Sequence, residues 1–346
     1  MTLSMPKTEY LSTKLRTNMH GVRIEATGLG MPQRLVLNDD LASLGCDSKW
    51  IVQRTGILSR YHASADQATS DLAYLAGRNC LEQAGCDPAE VDLIMVATMT
   101  PDHYTPSSSC LVQAKLGAKC PAFDLNAACS GFMYGMIVGS QFLKSGCCRK
   151  ILLICADKMT CVIDPQDVKT FPLFGDGAAA ALLTEDTRDE DVASGILAYK
   201  LGSVGEMGGT LVVPGCGSRL PASHEVLEQR DQFLKMDGRS VFKWAVRLVP
   251  DVVNELLTQA NMTLDELDLL VFHQANRRIL DAVTEALVAD PDRVFVNVDR
   301  YGNTSAASIP ISLHEAAEQG RIRRGSRVLL AGFGAGLTWG GCIIRW

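Results

Sequence analysis

FDLNAACSGF, residues 123–132, runs straight into GFMYGMIVGSQFLKS, residues 131–145. Apolar residues lead into Cys129, small residues surround it, and apolar residues at 3.6-residue spacing follow it. This is the pattern of a strand, a tight turn and a helix start. Such a turn predicts a sulfur beside unpaired backbone N–H groups, where the positive helix end favours thiolate, the nucleophilic form of cysteine. The working expectation is a nucleophilic Cys129, which then needs a proton partner, an oxyanion site and a substrate channel.

Working outward, the same order of elements appears twice. Residues 69–85 (TSDLAYLAGRNCLEQAG) read as a helix and are answered by the amphipathic run at 240–260 (SVFKWAVRLVPDVVNELLTQA). VDLIMVATMT (91–100), an apolar run that reads as a buried strand, is answered by LDLLVFHQAN (267–276). AFDLNAACSG (122–131) is answered by VFVNVDRYGNTSAAS (294–308), KILLICADK (150–158) by SRVLLAGFG (326–334), and FGDGAAAALLTE (174–185) by FGAGLTWGGCIIRW (333–346). The prediction is an α/β fold of duplicated βα halves, layered α-β-α-β-α around two central mixed sheets. Its parts are a mobile N-terminal extension at 1–19, a first half at 20–185 carrying the nucleophile, a connecting loop region at 186–235, and a second half at 236–346. In the connection, TEDTRDEDVASG (184–195) reads as a solvated acidic turn, and the glycine-rich stretch at 201–226 as a loop that could cover a site.

Composition narrows the function. The 346 residues are 47% hydrophobic and 21% charged, enough for the full core of a globular enzyme. A net charge of −6 argues against nucleic acid or an anionic membrane as partner. No apolar run approaches the roughly 18 residues of a membrane span, and residues 1–19 lack the apolar core of a secretory signal, so a cytoplasmic protein is expected. Twelve cysteines occur without a CxxC pair, which predicts reduced, mostly buried thiols and no metal site.

A cysteine nucleophile takes its partners from distant sequence. Of the six histidines, His20 lies in the extension, His62, His103 and His224 lie in polar surroundings, and His314 reads as a surface helix residue. His273 alone ends an apolar strand, where parallel α/β sheets bind ligands. Asn303, in RYGNTSAAS, follows another such strand; a turn or helix-cap role also explains it, but the internal echo sets it opposite Cys129. The glycines of residues 332–341 do not fit a dinucleotide fingerprint, and no helix follows them; close backbone approach and an oxyanion donor fit better.

With these residues in place, the chain from about residue 22 to 346 resembles β-ketoacyl-ACP synthase III (ACP, acyl carrier protein), a condensing enzyme of the thiolase superfamily. WIVQRTGI (50–57), AACSGF (127–132), FGDGA (174–178), HQANRRI (273–279), GNTSAAS (302–308) and FGAGLTWGG (333–341) carry the resemblance in family order. It implies a Cys129, His273, Asn303 triad, with an oxyanion hole made by the backbone N–H groups of Cys129 and Ala335. The reaction implied is condensation of an acyl-CoA with malonyl-ACP by a cofactor-free homodimer. A neutral His273 would stabilise charge, leaving the helix terminus to activate the thiol. Trp50, Arg54 and Asn276 fall at CoA-binding positions, though packing also explains Trp50. Arg278, Arg277 and Lys243, with Arg247, fall at ACP docking positions. The family's adenine-stacking arginine would fall near Val168, beside Lys169. Thr105 stands where many members close the acyl pocket with phenylalanine, which implies longer acyl groups. A related acyltransferase with a non-ACP acceptor and a non-catalytic acyl-binding scaffold are the alternatives.

Overall fold

The computed structural model describes residues 19–186 and 194–346. Residues 1–18, and most of the acidic turn expected between the halves, lie outside the described residues. Met19 belongs to the fold, not to an extension. With His20 it forms strand β1 (Met19–His20), which pairs antiparallel with β9 (Gly195–Ser203). The apolar Met19 side chain is buried there and joins the core.

Two five-stranded mixed sheets lie at the centre. The first has the order β2 (Val22–Gly30), β8 (Gly177–Glu185), β7 (Lys150–Asp157), β5 (Leu93–Ala97), β6 (Ala122–Leu125). The second runs β1, β9, β14 (Thr338–Arg345), β13 (Arg327–Gly334), β12 (Leu269–Phe272). Strand directions repeat: β2–β8–β7–β5 and β9–β14–β13–β12 both pair antiparallel, antiparallel, parallel. The partner of β5 in the first half, β6, survives in the second only as a single parallel bridge from Leu270 to Val294. Two short ribbons, β3 (Arg34–Leu37) with β4 (Ser59–His62) and β10 (Leu211–Val212) with β11 (Lys235–Met236), lie outside the main sheets.

Helices α4 (Gly131–Lys144) and α9 (Ser308–Glu318) form the middle layer. Phe132, Met133, Met136 and Ile137 of α4 and Ile309, Ile311 and Leu313 of α9 share one core with inward residues of both sheets. Burying each large apolar side chain contributes about 1.5–3 kcal/mol, so this layer holds the halves together. Glycines inside α4 weaken it as a helix but allow close packing: a Cβ on Gly135 would stand 2.5 Å from Leu153 Cδ1. Outside the first sheet lie α2 (Thr69–Ala84) and α3 (Ser108–Leu116); outside the second lie α6 (Gly238–Ala260) and α7 (Arg277–Ala286). Short helices α1 (Ser48–Thr55), α5 (His224–Glu228) and α8 (Val298–Tyr301) complete the chain. The layering is the expected α-β-α-β-α.

The segment 186–235 is not all connection. β9 stands in the second sheet where β2 stands in the first, which corrects the expected boundary of the second half. Its sequence, GILAYKLGS, concealed this because Lys200 interrupts an apolar run. Lys200 is buried, paired with Glu255 of α6 across the outer layer. The expected surface His314 is also half-buried, its Nδ1 2.9 Å from Thr27 Oγ1 on β2.

Candidate active site

Each central helix is entered through the same turn. After β6, Asn126 Oδ1 accepts the N–H of Ala128 at 3.1 Å; Ala128 takes a positive φ of 47°, and Cys129 enters α4. In the second half, Asn303 Oδ1 accepts the N–H of Ser305 at 2.9 Å, Ser305 has φ 52°, and Ala306 leads into α9. Left-handed backbone at a residue other than glycine stores roughly 1–3 kcal/mol and persists only where its surroundings impose it. The internal equivalence therefore pairs Asn126 with Asn303 and Cys129 with Ala306. The sequence reading, which set Asn303 opposite Cys129, was three residues out of register.

Cys129, His273, Asn303 and Ala335 line one cleft of about 510 Å³, together with Phe333 and Gly334. Cys129 lies in the turn after β6, His273 directly follows β12 and Asn303 lies in the turn after α8, so the expected strand end at Asn303 is corrected; the three are almost closed to solvent, at 6%, 1% and 6% exposure. Burial pushes the Cys129 thiol up to about 12, against the opposing effect of its hydrogen bond with Ser305, and the Asp157 charge adds to the rise. From an ordinary thiol value of 9.0, that rise corresponds to roughly 4 kcal/mol, while a helix N-terminus offsets about 2 kcal/mol at best. Burial thus works against the expected helix-stabilised thiolate.

His273 is neutral for the same reason, burial lowering its pKa to about 3. Its ring stands edge-on to Phe333, and Nδ1 lies 2.6 Å from Ser308 Oγ. Ser308 Oγ also accepts the N–H of Gln274 at 3.3 Å. Donation from the Ser308 hydroxyl to Nδ1 is the arrangement that places the imidazole proton on Nε2, facing the cleft chemistry. Asn303 Oδ1 is occupied by Ser305, so its amide nitrogen is the free donor. The cleft thus holds a thiol and two neutral donors.

Gly334 permits the close approach that keeps the Cys129 N–H open: a Cβ there would stand 2.7 Å from that nitrogen. The next turn, Ala335–Leu337, puts its positive φ (123°) on Gly336, so Ala335 carries no such strain. Thr338 ties this turn to the nucleophile's. Its Oγ1 lies 2.9 Å from the carbonyls of both Ala127 and Ala335, and 2.8 Å from Ser130 Oγ. Val204 and Leu337 exchange backbone hydrogen bonds, and Leu211, Leu234 and Met236 line the cleft. Of the glycine-rich stretch, Leu211 reaches the site.

Trp50 and Arg54 are not among the cleft-lining residues; Arg54 lies over the Trp50 ring, 4.4 Å from its centroid, and Asn276 Nδ2 donates to the Arg54 carbonyl at 3.2 Å. Asn276 also caps α7 and lines the cleft, as do Arg278 and Lys243. Arg277 does not; it pairs with Asp281 at 2.6 Å and packs against Gly56. Arg247 is exposed beyond the lining, Val168 is half-buried, and Thr105 is exposed outside this chain's cleft. Sequence reasoning missed Arg239, which lines the mouth; its spacing of four from Lys243 and Arg247 was the available signal. It also missed Ser305, Ser308, Asp157 and Thr338, small polar residues that acquire meaning only from contacts across the molecule. Among the described residues, no cluster of three or more His, Cys, Asp or Glu could hold a metal, and no helix is long and apolar enough to cross a membrane.

Fold and site define a cysteine acyltransferase built on two duplicated halves. The family described as 3-oxoacyl-[acyl-carrier-protein] synthase III matches at residues 123–205, and its C-terminal part at residues 257–346. A β-ketoacyl-[acyl-carrier-protein] synthase III of Rhodopirellula baltica is 51% identical over 343 residues, covering 95% of this chain and 99% of the relative. The crystal structure of 3-oxoacyl-[acyl-carrier-protein] synthase III from Aquifex aeolicus superposes with a TM-score of 0.86 at 40% identity, covering 94% of this chain and 100% of that one. The priming β-ketosynthase of the R1128 polyketide pathway does so with 0.85 at 35% identity, covering 96% and 98%. The chain belongs to the 3-oxoacyl-[acyl-carrier-protein] synthase III family.

Proposed function

We propose that this enzyme condenses an acyl-CoA with malonyl-ACP to give β-ketoacyl-ACP, CO₂ and free CoA, with the acyl group held on Cys129 between two half-reactions. The observation that carries the reading is the convergence of Cys129, His273 and Asn303 on one closed cleft, with the histidine held neutral.

In the first half-reaction, Cys129 Sγ attacks the thioester carbonyl, and the N–H groups of Cys129 and Ala335 receive the developing oxyanion. CoA then leaves with the proton that the thiol gives up. In the second, malonyl-ACP loses CO₂, and the enolate oxygen accepts hydrogen bonds from His273 Nε2–H and the Asn303 amide. The carbanion attacks the acyl carbonyl, and the same two N–H groups hold the oxyanion until the Cys129 sulfur departs as thiolate and takes up a proton from solvent, replacing the one that left with CoA. Each donor to developing charge is worth about 10²–10³ in rate. A neutral imidazole suits this work, since an imidazolium would resist burial there. The scheme calls on no cofactor beyond the CoA thioester.

Trp50, Arg54 and Asn276 are proposed to guide CoA. Arg278 and Lys243 give an acidic chain a local positive rim for an acidic carrier protein, with Arg247 and Arg277 farther out. The free edge of β6, with Phe123 against the part-exposed Phe142, supports a homodimer built through that edge. Exposed Thr105 would then reach the partner's cleft and admit acyl groups longer than acetyl. The proposed compartment is the cytoplasm.

Intact-mass analysis across a series of acyl-CoA lengths, followed by malonyl-ACP, tests the reading. Expected are an adduct absent from Cys129→Ala, formed with acyl groups beyond acetyl, and discharged as β-ketoacyl-ACP. An adduct that malonyl-ACP cannot discharge indicates another acceptor, no adduct indicates a scaffold, and strict acetyl preference refutes the role of Thr105.

A further inference from the structure

The two N–H groups proposed to receive the oxyanion stand on different segments of the chain, so some contact has to fix their separation. Cys129 follows the turn after β6, and Ala335 opens the hairpin between β13 and β14, in which Gly334 pairs with Thr338. Gly334 lets the two segments approach, since a Cβ there would stand 2.7 Å from the Cys129 nitrogen. A missing side chain permits closeness but does not enforce it. The hairpin backbone does not enforce it either: Gly336 at its tip has a φ of 123°, and glycine has the most backbone freedom to lose.

We infer that Thr338 is a positioning residue of the oxyanion hole, its hydroxyl joining that of Ser130 to lock the Ala335 hairpin onto the nucleophile's turn. The inference rests on the proposed use of the Cys129 and Ala335 N–H groups.

Three observations carry it. First, Thr338 Oγ1 lies 2.9 Å from the Ala127 carbonyl, 2.9 Å from the Ala335 carbonyl and 2.8 Å from Ser130 Oγ. Ser130 Oγ in turn lies 2.7 Å from the Ala127 carbonyl. Each hydroxyl has one proton to give, and the carbonyls only accept. A single assignment leaves no bond across the gap, with Thr338 donating to Ala335 and Ser130 to Ala127. It would set the two hydroxyl oxygens 2.8 Å apart with no proton between them, which lone-pair repulsion disfavours. Every other assignment links the two turns. Second, the link sits beside both donors. Ser130 is the residue after Cys129 and is fully buried, and Thr338 faces Gly334, the residue before Ala335, across the β13–β14 pair. Neither Ser130 nor Thr338 lines the cleft, so they act on substrate only through the N–H groups they place. Third, the other side of the hairpin is already held, Val204 and Leu337 exchanging backbone hydrogen bonds at 2.8 and 3.3 Å. Thr338 supplies the hold on the side that carries Ala335.

Thr338→Val keeps the shape of the side chain and deletes the hydroxyl, whereas Thr338→Ser keeps the hydroxyl. Single-turnover acylation by the acyl-CoA that wild type takes fastest is followed by intact mass. Malonyl-ACP decarboxylation, which uses His273 and Asn303 and neither oxyanion donor, is measured alongside. A misplacement of about 1 Å costs on the order of 10²-fold in rate, so acylation by Thr338→Val is expected to fall about 10–10²-fold. Decarboxylation should stay near wild type, and Thr338→Ser should recover most of the acylation rate. A thermal melt checks the fold. If the valine variant does not fold, Ser130→Ala is read in the same way, with a smaller fall because Thr338 can still donate to Ala127. Undiminished acylation, equal loss in both half-reactions, no recovery by serine, or loss of fold in both variants overturns the positioning role alone. An adduct that survives Cys129→Ala overturns the underlying site, and the positioning role with it.

Discussion

Cys129 and His273 share a cause. Each is shut from water with no opposite charge beside it, so each keeps its neutral form, one pKa rising to about 12 and the other falling to about 3. For His273 that neutrality is useful only if the proton sits on Nε2, and Ser308 decides it through the 2.6 Å contact at Nδ1. Replacing Ser308 with alanine frees the ring to take either tautomer. Malonyl-ACP decarboxylation by Ser308→Ala should fall about tenfold, the worth of one hydrogen bond at roughly 1–1.5 kcal/mol, while acylation of Cys129 stays near wild type. Equal loss in both half-reactions would mean that Ser308 supports only packing. At this scale Cys129 and His273 were legible because each follows an apolar strand, and Asn303 because its stretch echoes the cysteine's, although helix α8 and not a strand precedes it. Ser305 and Ser308 were not. Two serines in a run of small residues look alike until one is set against a sulfur and the other against an imidazole.

The working element is the turn into a central helix, present twice, with an asparagine anchoring a strained residue before each. The register error in reading it has a physical source: Asn126 passes unnoticed beside a reactive cysteine, although it does the same work as Asn303. Helix α2 starts after Ala68, which has no side chain able to cap it. Its first N–H groups are satisfied from elsewhere, Asp102 accepting Ser70 N–H at 2.9 Å across a gap of 32 residues. At the turn after β13 a stringent requirement falls on Gly334. A methyl group there would meet backbone, not a flexible side chain, 2.7 Å from Cys129 N and 3.1 Å from Cys129 Cβ. Gly334→Ala should lower acylation by at least about 10²-fold, the loss expected for one oxyanion donor. Single-turnover acylation with a thermal melt checks this; a folded variant with an undiminished rate would show that the Cys129 N–H is not used.

Across the whole molecule, burial also sets the response to acid. His62, on β4 and edge-on to Phe171, is neutral with its pKa lowered to about 4 by burial, then by the charges of Arg60 and Arg34. An unfolded histidine titrates near 6.5, so below that pH the unfolded chain takes up protons that the folded chain refuses. Stability then falls as pH drops through about 6.5 toward 4, and His273 extends the same loss toward 3. Near pH 5, His62→Phe should flatten the dependence of unfolding free energy on pH by about 1.4 kcal/mol per pH unit, one proton's worth. Denaturant melts at pH 5 and 7 measure it, and an unchanged slope would show that His62 is not held neutral. From the sequence alone came the duplicated halves, the layer order, the candidate nucleophile and the strand ends of the site, because local periodicity and apolar patterning follow from burial and repeat along the chain. The tertiary structure alone decided the burial of the site's titratable groups, the register of the two halves, the strand hidden at Gly195–Ser203 and the contact of Cys129 with Ser305. These depend on which groups are brought together from distant sequence and how completely water is excluded there, and no local pattern encodes either.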